Sequence, residues 1–290
     1  MDRRIFLQAA TAAATGLSLR TTQFPGRKSH SSEPERTFRT ISYNVLALRG
    51  YPERKENKFR ITSARPQMTQ RLALELSLYE PDLITFQESP SEKTVEQIAK
   101  WMGMNHVWFS GGFPGTVLSK YEITKSENCP LANKAARPKD LFTRHWGRAV
   151  LNFDGNSIIV YTAHLHPSKQ DVREREVAAM LEAMSADLEQ GGNVILQGDL
   201  NMKPDNPLYQ RWNAAGLQDA FVAKGSGSGL TISATDRRSR IDYIWSKGPM
   251  FDRLTDCRVL AEGNFIDHPS DKAGFALSDH LPVMATFDMT

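Results

Sequence analysis

Short apolar, β-forming runs alternate along the chain with stretches of helical spacing, and polar residues repeatedly close the apolar runs. Residues 37–46 alternate and are rich in β-formers, which predicts a strand ending near Asn44. Pro66 opens a predicted helix with Met68, Leu72, Leu76 and Tyr79 on one face, stopped before Pro81. Residues 82–88 read as a short strand that delivers Glu88 at its C-terminal end. Ser89-Pro90-Ser91-Glu92 then reads as an N-cap, a proline at the first helical position and a capping-box acid. A turn at Gly111 leads into a short strand through Leu118. Residues 146–153 and 157–163 flank Asp154-Gly155-Asn156, a strong hairpin signal.

Ser168-x-x-Asp171 marks the start of a long helix whose Val177, Met180, Leu181, Met184 and Leu188 face a core, ended by Gly191-Gly192. Residues 193–197 form a strand running into Gly198-Asp199-Leu200-Asn201. Pro207 opens a short helix closed by Gly216, and residues 225–229 read as a flexible loop. Residues 240–245, 257–260 and 281–287 are further strands. There is no internal repeat and no later linker, so residues 37–290 read as one domain. Many short strands with few helices predict an α/β fold with sheets covered by helices on their outer faces.

Composition narrows the class. With 40% hydrophobic and 24% charged residues, the 290-residue chain has the make-up of a soluble globular protein. No apolar stretch is long enough for an internal transmembrane helix. At the N-terminus, Arg3-Arg4 precede a weakly hydrophobic, alanine-rich stretch over residues 9–19, the pattern of a twin-arginine export signal. Residues 20–36, rich in Ser, Thr, Pro and charge, read as a disordered linker, so residues 1–36 are expected to be signal plus linker. The expected location is periplasmic or extracellular. Up to Lys28 this leader carries five basic residues against Asp2, a net +4, so the formal +3 of the chain leaves about −1 for the body. The basic balance belongs to the leader and argues little for a polyanion-binding surface. Cys129 and Cys257 offer a disulfide in an oxidising compartment, and neither sits in a Cys-x-x-Cys zinc motif.

Several segments share one design, an apolar strand that ends in a ligand-type side chain. They present Asn44, Glu88, His164, Asp199 with Asn201, and Asp279 with His280, while Asp242 lies inside Arg240-Ile241-Asp242-Tyr243-Ile244. Glu, Asp and Asn oxygens suit hard cations such as Mg²⁺, Mn²⁺ and Ca²⁺. Phosphoryl transfer needs a metal on the phosphate, a base for water, and donors for developing charge, and this set supplies each. Each residue also has a plainer reading. Asn44 can satisfy a turn, Asp242 can bond backbone, His166 can be a loop residue past a strand end, and Arg148 suits a surface ion pair. His106, Trp108 and Phe109 read as strand or core material. Phe113, near Gly111-Gly112, could contact substrate.

The segments Ile41-Ser42-Tyr43-Asn44, Phe86-Gln87-Glu88, Thr162-Ala163-His164-Leu165, Gly198-Asp199-Leu200-Asn201, Arg240-Ile241-Asp242-Tyr243-Ile244 and Ser278-Asp279-His280-Leu281-Pro282-Val283 resemble, in order, those of the endonuclease/exonuclease/phosphatase superfamily. The resemblance implies a four-layer α/β-sandwich with two central, mainly antiparallel sheets. It implies a Mg²⁺-dependent phosphoesterase, with Mn²⁺ or Ca²⁺ as substitutes. Glu88, Asn44 and Asp279 would serve the metal, and Asp199 would orient or deprotonate water. Asn201 would hold a phosphate oxygen, and His280, kept in its tautomer by Asp242, would stabilise the phosphorus centre or act as base. His164 would donate to a phosphate oxygen or to the leaving group, and His-Leu at this point resembles the deoxyribonuclease-like, sphingomyelinase-like and phosphatase-like members. Two departures stand out: Ser119-Lys120-Tyr121-Glu122-Ile123 lacks the family's proline, and Ser239-Arg240-Ile241-Asp242-Tyr243 lacks the inositol polyphosphate phosphatase signature.

The expected substrate is a phosphodiester, in nucleic acid or a phospholipid head group, and the protein is expected to act as a monomer. A phosphatase on a small phosphomonoester, or a catalytically silent module that binds phosphorylated ligands, are the competing readings.

Overall fold

The computed structural model describes residues 36–268 and 270–290. The expected export signal and linker fall on residues 1–36, which lie outside the described residues except for Arg36. In chain order the first half holds β1 (Thr37–Asn44), α1 (Lys58–Ala64), α2 (Met68–Ser77), β2 (Leu83–Gln87), α3 (Glu92–Met102), β3 (Asn105–Phe109), β4 (Gly115–Ser119) and β5 (Glu122–Asn128). Next come β6 (His145–Phe153), β7 (Asn156–His164), α4 (Gln170–Glu189), β8 (Asn193–Asp199), α5 (Pro207–Ala214), β9 (Gln218–Asp219) and α6 (Ala220–Lys224). The chain finishes with β10 (Gly225–Ser226), β11 (Asp242–Lys247), α7 (Pro249–Asp252), β12 (Leu254–Val259) and β13 (Val283–Asp288).

The strands form a seven-stranded sheet, ordered β10-β12-β13-β1-β2-β4-β3, and a six-stranded sheet, ordered β5-β6-β7-β8-β11-β9. Both sheets are mixed: β1–β2, β10–β12 and β7–β8 run parallel, and the other pairings are antiparallel. Three apolar layers account for the stacking. Phe38, Leu83 and Val117 of the first sheet meet Leu151, Val160 and Ile195 of the second. Ile41, Ile84 and Leu118, on the other face of the first sheet, pack on Leu72 and Leu76 of α2 and Ile98 of α3. Tyr161, Val194 and Trp245 of the second sheet pack on Met180 and Met184 of α4 and Trp212 of α5. Period-2 alternation lets each strand serve two layers at once, which yields helix–sheet–sheet–helix.

One polar bridge crosses the central layer beneath the strand ends. Thr40 Oγ1 donates to Gln197 Oε1 at 2.7 Å, and Gln197 Nε2 donates to Thr85 Oγ1 at 2.9 Å and to the Ile41 carbonyl at 3.1 Å. All are buried, so leaving any one unpaired would cost about 1–3 kcal/mol. The bridge fixes β8 against β1 and β2, the strands that carry Asn44 and Glu88.

Local details differ from the sequence reading. The cap of α3 is Ser91, whose Oγ accepts from Thr94 N, and Pro90 stands before the helix rather than inside it. α4 starts at Gln170, with Lys169 as its cap in place of Ser168. Gly225–Ser226, expected as loop, pairs with Cys257 and Arg258. Cys129 and Cys257 are both free thiols. Arg148 forms a two-pronged ion pair with Asp187, at 2.8 and 3.1 Å.

Candidate active site

Four polar residues lie in one register row across the second sheet. His145 on β6 faces His164 on β7, His164 faces Asp199 on β8, and Asp199 faces Asp242 on β11. Each sits at or beside its strand's end, so the row lies along one rim, and all four are buried. The first sheet contributes Asn44 from the end of β1 and Glu88 one residue past β2, strands that are parallel and adjacent. Asp279 and His280 come from the segment just before β13, the other neighbour of β1. Hydrogen bonds close the two rims together: Ser278 Oγ donates to the Asn44 carbonyl at 2.7 Å, and Asn44 Nδ2 donates to Asp199 Oδ2 at 3.1 Å.

His280 is the best-determined group. Its Nδ1 lies 2.9 and 3.1 Å from the two Asp242 oxygens, and its Nε2 lies 3.7 Å from Asp199 Oδ2. Burial works against a charged ring, but the Asp242 and Asp199 carboxylates outweigh it and raise the His280 pKa. Burial, then repulsion from Asp242, pushes Asp199 above the ordinary carboxylate value. His164 behaves oppositely: burial, with His145 and Arg144 nearby, holds it well below the usual value and therefore neutral. Its Nε2 lies 3.1 Å from Arg144 Nε and 3.4 Å from Asp199 Oδ2, between a donor and a carboxylate, while its Nδ1 is buried with no partner among the described residues.

Asn201 commits one amide N–H to the Leu165 carbonyl at 2.9 Å, which leaves the second for another acceptor. Its backbone N–H donates to Asp199 Oδ1 at 3.1 Å, a bond that turns the carboxylate. Glu88 is half-buried, with a backbone φ of +46° that a glutamate adopts only at a cost of about 1–2 kcal/mol. Burial raises its pKa, Asn44 offsets part of this, and the charge of Asp279 adds to the rise. Two carboxylates crowd here in a partly desolvated position, and their oxygens fit a hard divalent cation; the Asn44 amide turns its N–H toward the acids and its oxygen to Leu46 N. Asp199, Asp242 and His280 also bring ligand-type atoms within 4.8 Å of one another. In that trio, however, Nδ1 of the ring already serves Asp242.

Two residues at the rim carry no signal in the sequence reading. Arg144 holds His164, and its guanidinium lies 4.7 Å above the ring of Phe113, itself 39% exposed and 6.2 Å from the His164 ring. His145 packs where Gly115 leaves room, since a Cβ at Gly115 would collide with its ring. Both follow a polar stretch without periodicity, and their place is visible only through the β6–β7 register. Phe113 therefore lies beside His164 and Arg144. His166 does not join it; its Nδ1 accepts from Ser168 and Lys169 N–H groups at the start of α4.

The family model for the endonuclease/exonuclease/phosphatase family matches residues 41–280. The chain belongs to this family. Its members are hydrolases of phosphoester bonds, nucleases and phosphatases among them, and depend on divalent metal. No curated protein matches the chain by sequence. Solved structures match in fold. A family member from Bacteroides thetaiotaomicron is 16% identical, with 88% of this chain and 100% of that one covered and a TM-score of 0.66. A mannosyl-6-phosphatase from the same organism is 17% identical, covering 86% and 98%, with a TM-score of 0.66. The 3′ phosphatase NExo from Neisseria, bound to product DNA hairpin, is 21% identical, covering 87% and 99%, with a TM-score of 0.63. Among the described residues, no helix is long and apolar enough to cross a membrane.

Proposed function

We propose that the protein is a Mg²⁺-dependent phosphodiesterase that hydrolyses its substrate by in-line attack of water. The observation that carries this reading is the geometry of His280, charged through Asp242 and facing Asp199 across 3.7 Å. A fixed imidazolium supplies positive charge where a phosphorane gathers negative charge. Asp199, whose proton affinity burial and Asp242 have raised, is suited to accept a proton from the attacking water. Asn201 offers its free amide N–H to a phosphate oxygen. Arg144, oriented by neutral His164, adds guanidinium donors on the same rim.

Glu88, Asp279 and Asn44 would hold the metal. When bound, it would draw charge from a phosphate oxygen and lower the barrier to attack. Mn²⁺ or Ca²⁺ would suit the same oxygen donors. The phosphatase and DNA-product neighbours support a phosphoester substrate, and the exposed ring of Phe113 beside Arg144 favours a diester with an apolar or aromatic group next to the phosphate.

The test is hydrolysis of bis(p-nitrophenyl) phosphate by the purified protein. Turnover should require Mg²⁺, vanish with EDTA and fall in the His280→Ala protein. Turnover of p-nitrophenyl phosphate alone would make the protein a monoesterase. Full activity in the variant would overturn the assigned chemistry.

We also propose export by the twin-arginine route, supported by Arg3-Arg4 before the alanine-rich stretch. Replacing both arginines with lysine should leave the protein in the cytoplasm, and unchanged export would refute the route.

A further inference from the structure

The buried face of α4 is mostly apolar, built from Val172, Val177, Met180, Met184 and Leu188, but two charged residues interrupt it, Arg173 and Glu176. Arg173 Nη1 donates to the carbonyls of His166 and Pro167 at 2.8 and 2.9 Å. Glu176 is 1% exposed and spends each oxygen on a different loop. Its Oε1 accepts from Phe142 N at 2.8 Å, and its Oε2 accepts from His166 N at 2.9 Å. Burial raises the pKa of this carboxyl, and the two N–H groups pull it back toward the ionised form. The N–H groups in turn need the acid, because a buried donor without an acceptor is costly.

Both loops lead to side chains that can serve a phosphate. Phe142 has a φ of +51°, a left-handed turn two residues before Arg144. Arg144 Nε lies 3.1 Å from His164 Nε2, and its guanidinium stands 4.7 Å above the Phe113 ring. Gly111 and Gly112 close the other side of this segment. Gly112 N donates to the Thr143 carbonyl at 3.1 Å, and a Cβ on Gly111 would collide with the Arg144 carbonyl oxygen. Thr143 and Arg144 are therefore pinned between a helix carboxylate and a glycine pair. The second loop leads to Asn201, whose Nδ2 donates to the Leu165 carbonyl at 2.9 Å, beside the N–H that Glu176 holds. Leu165 N is itself tied to the Asp199 carbonyl at 3.0 Å.

We propose that Glu176 is a positioning residue for phosphate recognition, setting the spacing between the Arg144 guanidinium and the Asn201 amide. It acts through these two side chains and not on the substrate itself. The role rests on the phosphoesterase reading above, in which both side chains donate to phosphate oxygens.

Glu176→Gln keeps the shape but turns an amide NH₂ toward one of the two N–H groups, so one loop is released. On bis(p-nitrophenyl) phosphate with Mg²⁺, kcat/KM should fall about tenfold. The decisive readout is non-additivity. Added to Arg144→Gln or to Asn201→Ala, Glu176→Gln should cost at least about threefold less than it costs the wild type, because a donor it positions is already gone. Additive loss in either background would make Glu176 a structural acid only and overturn the proposal, as would full activity in the single variant. If Glu176→Gln fails to fold, Glu176→Asp takes its place: the charge stays, and a side chain one methylene shorter cannot span both N–H groups. A second measurement needs no turnover. In long-range ¹H–¹⁵N spectra of the metal-free protein, the His164 Nε2 resonance should shift in the same direction in Glu176→Gln and in Arg144→Gln. An unmoved resonance in Glu176→Gln would also overturn the proposal. If the wild type hydrolyses no phosphoester, the phosphoesterase reading fails, and the spectra still decide whether Glu176 sets Arg144.

Discussion

Asn44 Nδ2 lies 3.1 Å from Asp199 Oδ2, a buried hydrogen bond between residues 155 apart in the chain and on different sheets. The same side chain accepts from Leu46 N and moderates Glu88. Asn44 therefore couples the oxygen donors proposed for the metal to the carboxylate proposed for water. Asn44→Ala should raise the Mg²⁺ concentration for half-maximal activity by about 10- to 100-fold, the range seen when a ligand's supporting hydrogen bonds are removed. A Mg²⁺ activation curve checks this, and an unchanged midpoint would make Asn44 a turn residue only.

Asp242 holds Nδ1 of His280 through both oxygens. Asp242→Asn keeps the shape but removes the charge and disturbs the tautomer, so kcat should fall by roughly 10³-fold or more with a smaller change in KM. Circular dichroism should show an intact fold. A kcat within a few-fold of wild type would leave Asp242 a merely structural acid.

Glu88 carries a burden of its own in the metal-free protein, from burial and from the neighbouring charge of Asp279. In EDTA, Glu88→Gln should raise Tm by a few degrees, corresponding to about 1 kcal/mol. Adding Mg²⁺ should raise Tm in the wild type and leave the variant unmoved. Thermal melts with and without Mg²⁺ read both, and an equal Mg²⁺ shift in the two proteins would remove Glu88 from the ligand set.

Burial lowers the pKa of His145 from 6.5 to about 3. The folded protein keeps this ring neutral while the unfolded chain protonates it below pH 6.5. Stability should therefore be complete above that pH and decline as pH falls, by up to about 1.4 kcal/mol per pH unit from this one group. His145→Gln should lose less stability than wild type between pH 7.5 and 5, whatever its stability at neutral pH. Urea unfolding at both pH values measures the difference, and parallel losses would contradict the neutral assignment.

The parts of the site legible in sequence share one physical cause. Glu88, His164 and Asp199 each close a largely buried and mostly apolar run, so the charged or imidazole side chain marks where the strand ends. β5 carries no strand signal, because Glu122–Asn128, at the edge of its sheet, is mostly exposed and lacks alternation. α1 was hidden in a charged stretch where Ile61 alone is buried. Arg144 and His145 belong to a polar segment whose meaning comes from pairing with β7.

The sequence by itself determined the strand ends, the residue types delivered there and, through their order, the family. Periodicity and ligand chemistry are local properties, written in neighbouring residues. Only the tertiary structure decided which ends meet. Cross-strand register set His145, His164, Asp199 and Asp242 in one row, and the packing of two sheets brought Asn44 and His280 to Asp199. Those contacts depend on pairings between residues far apart in the chain, and so do the charge on His280, which Asp242 and Asp199 sustain against burial, and the neutrality of His164, which burial imposes.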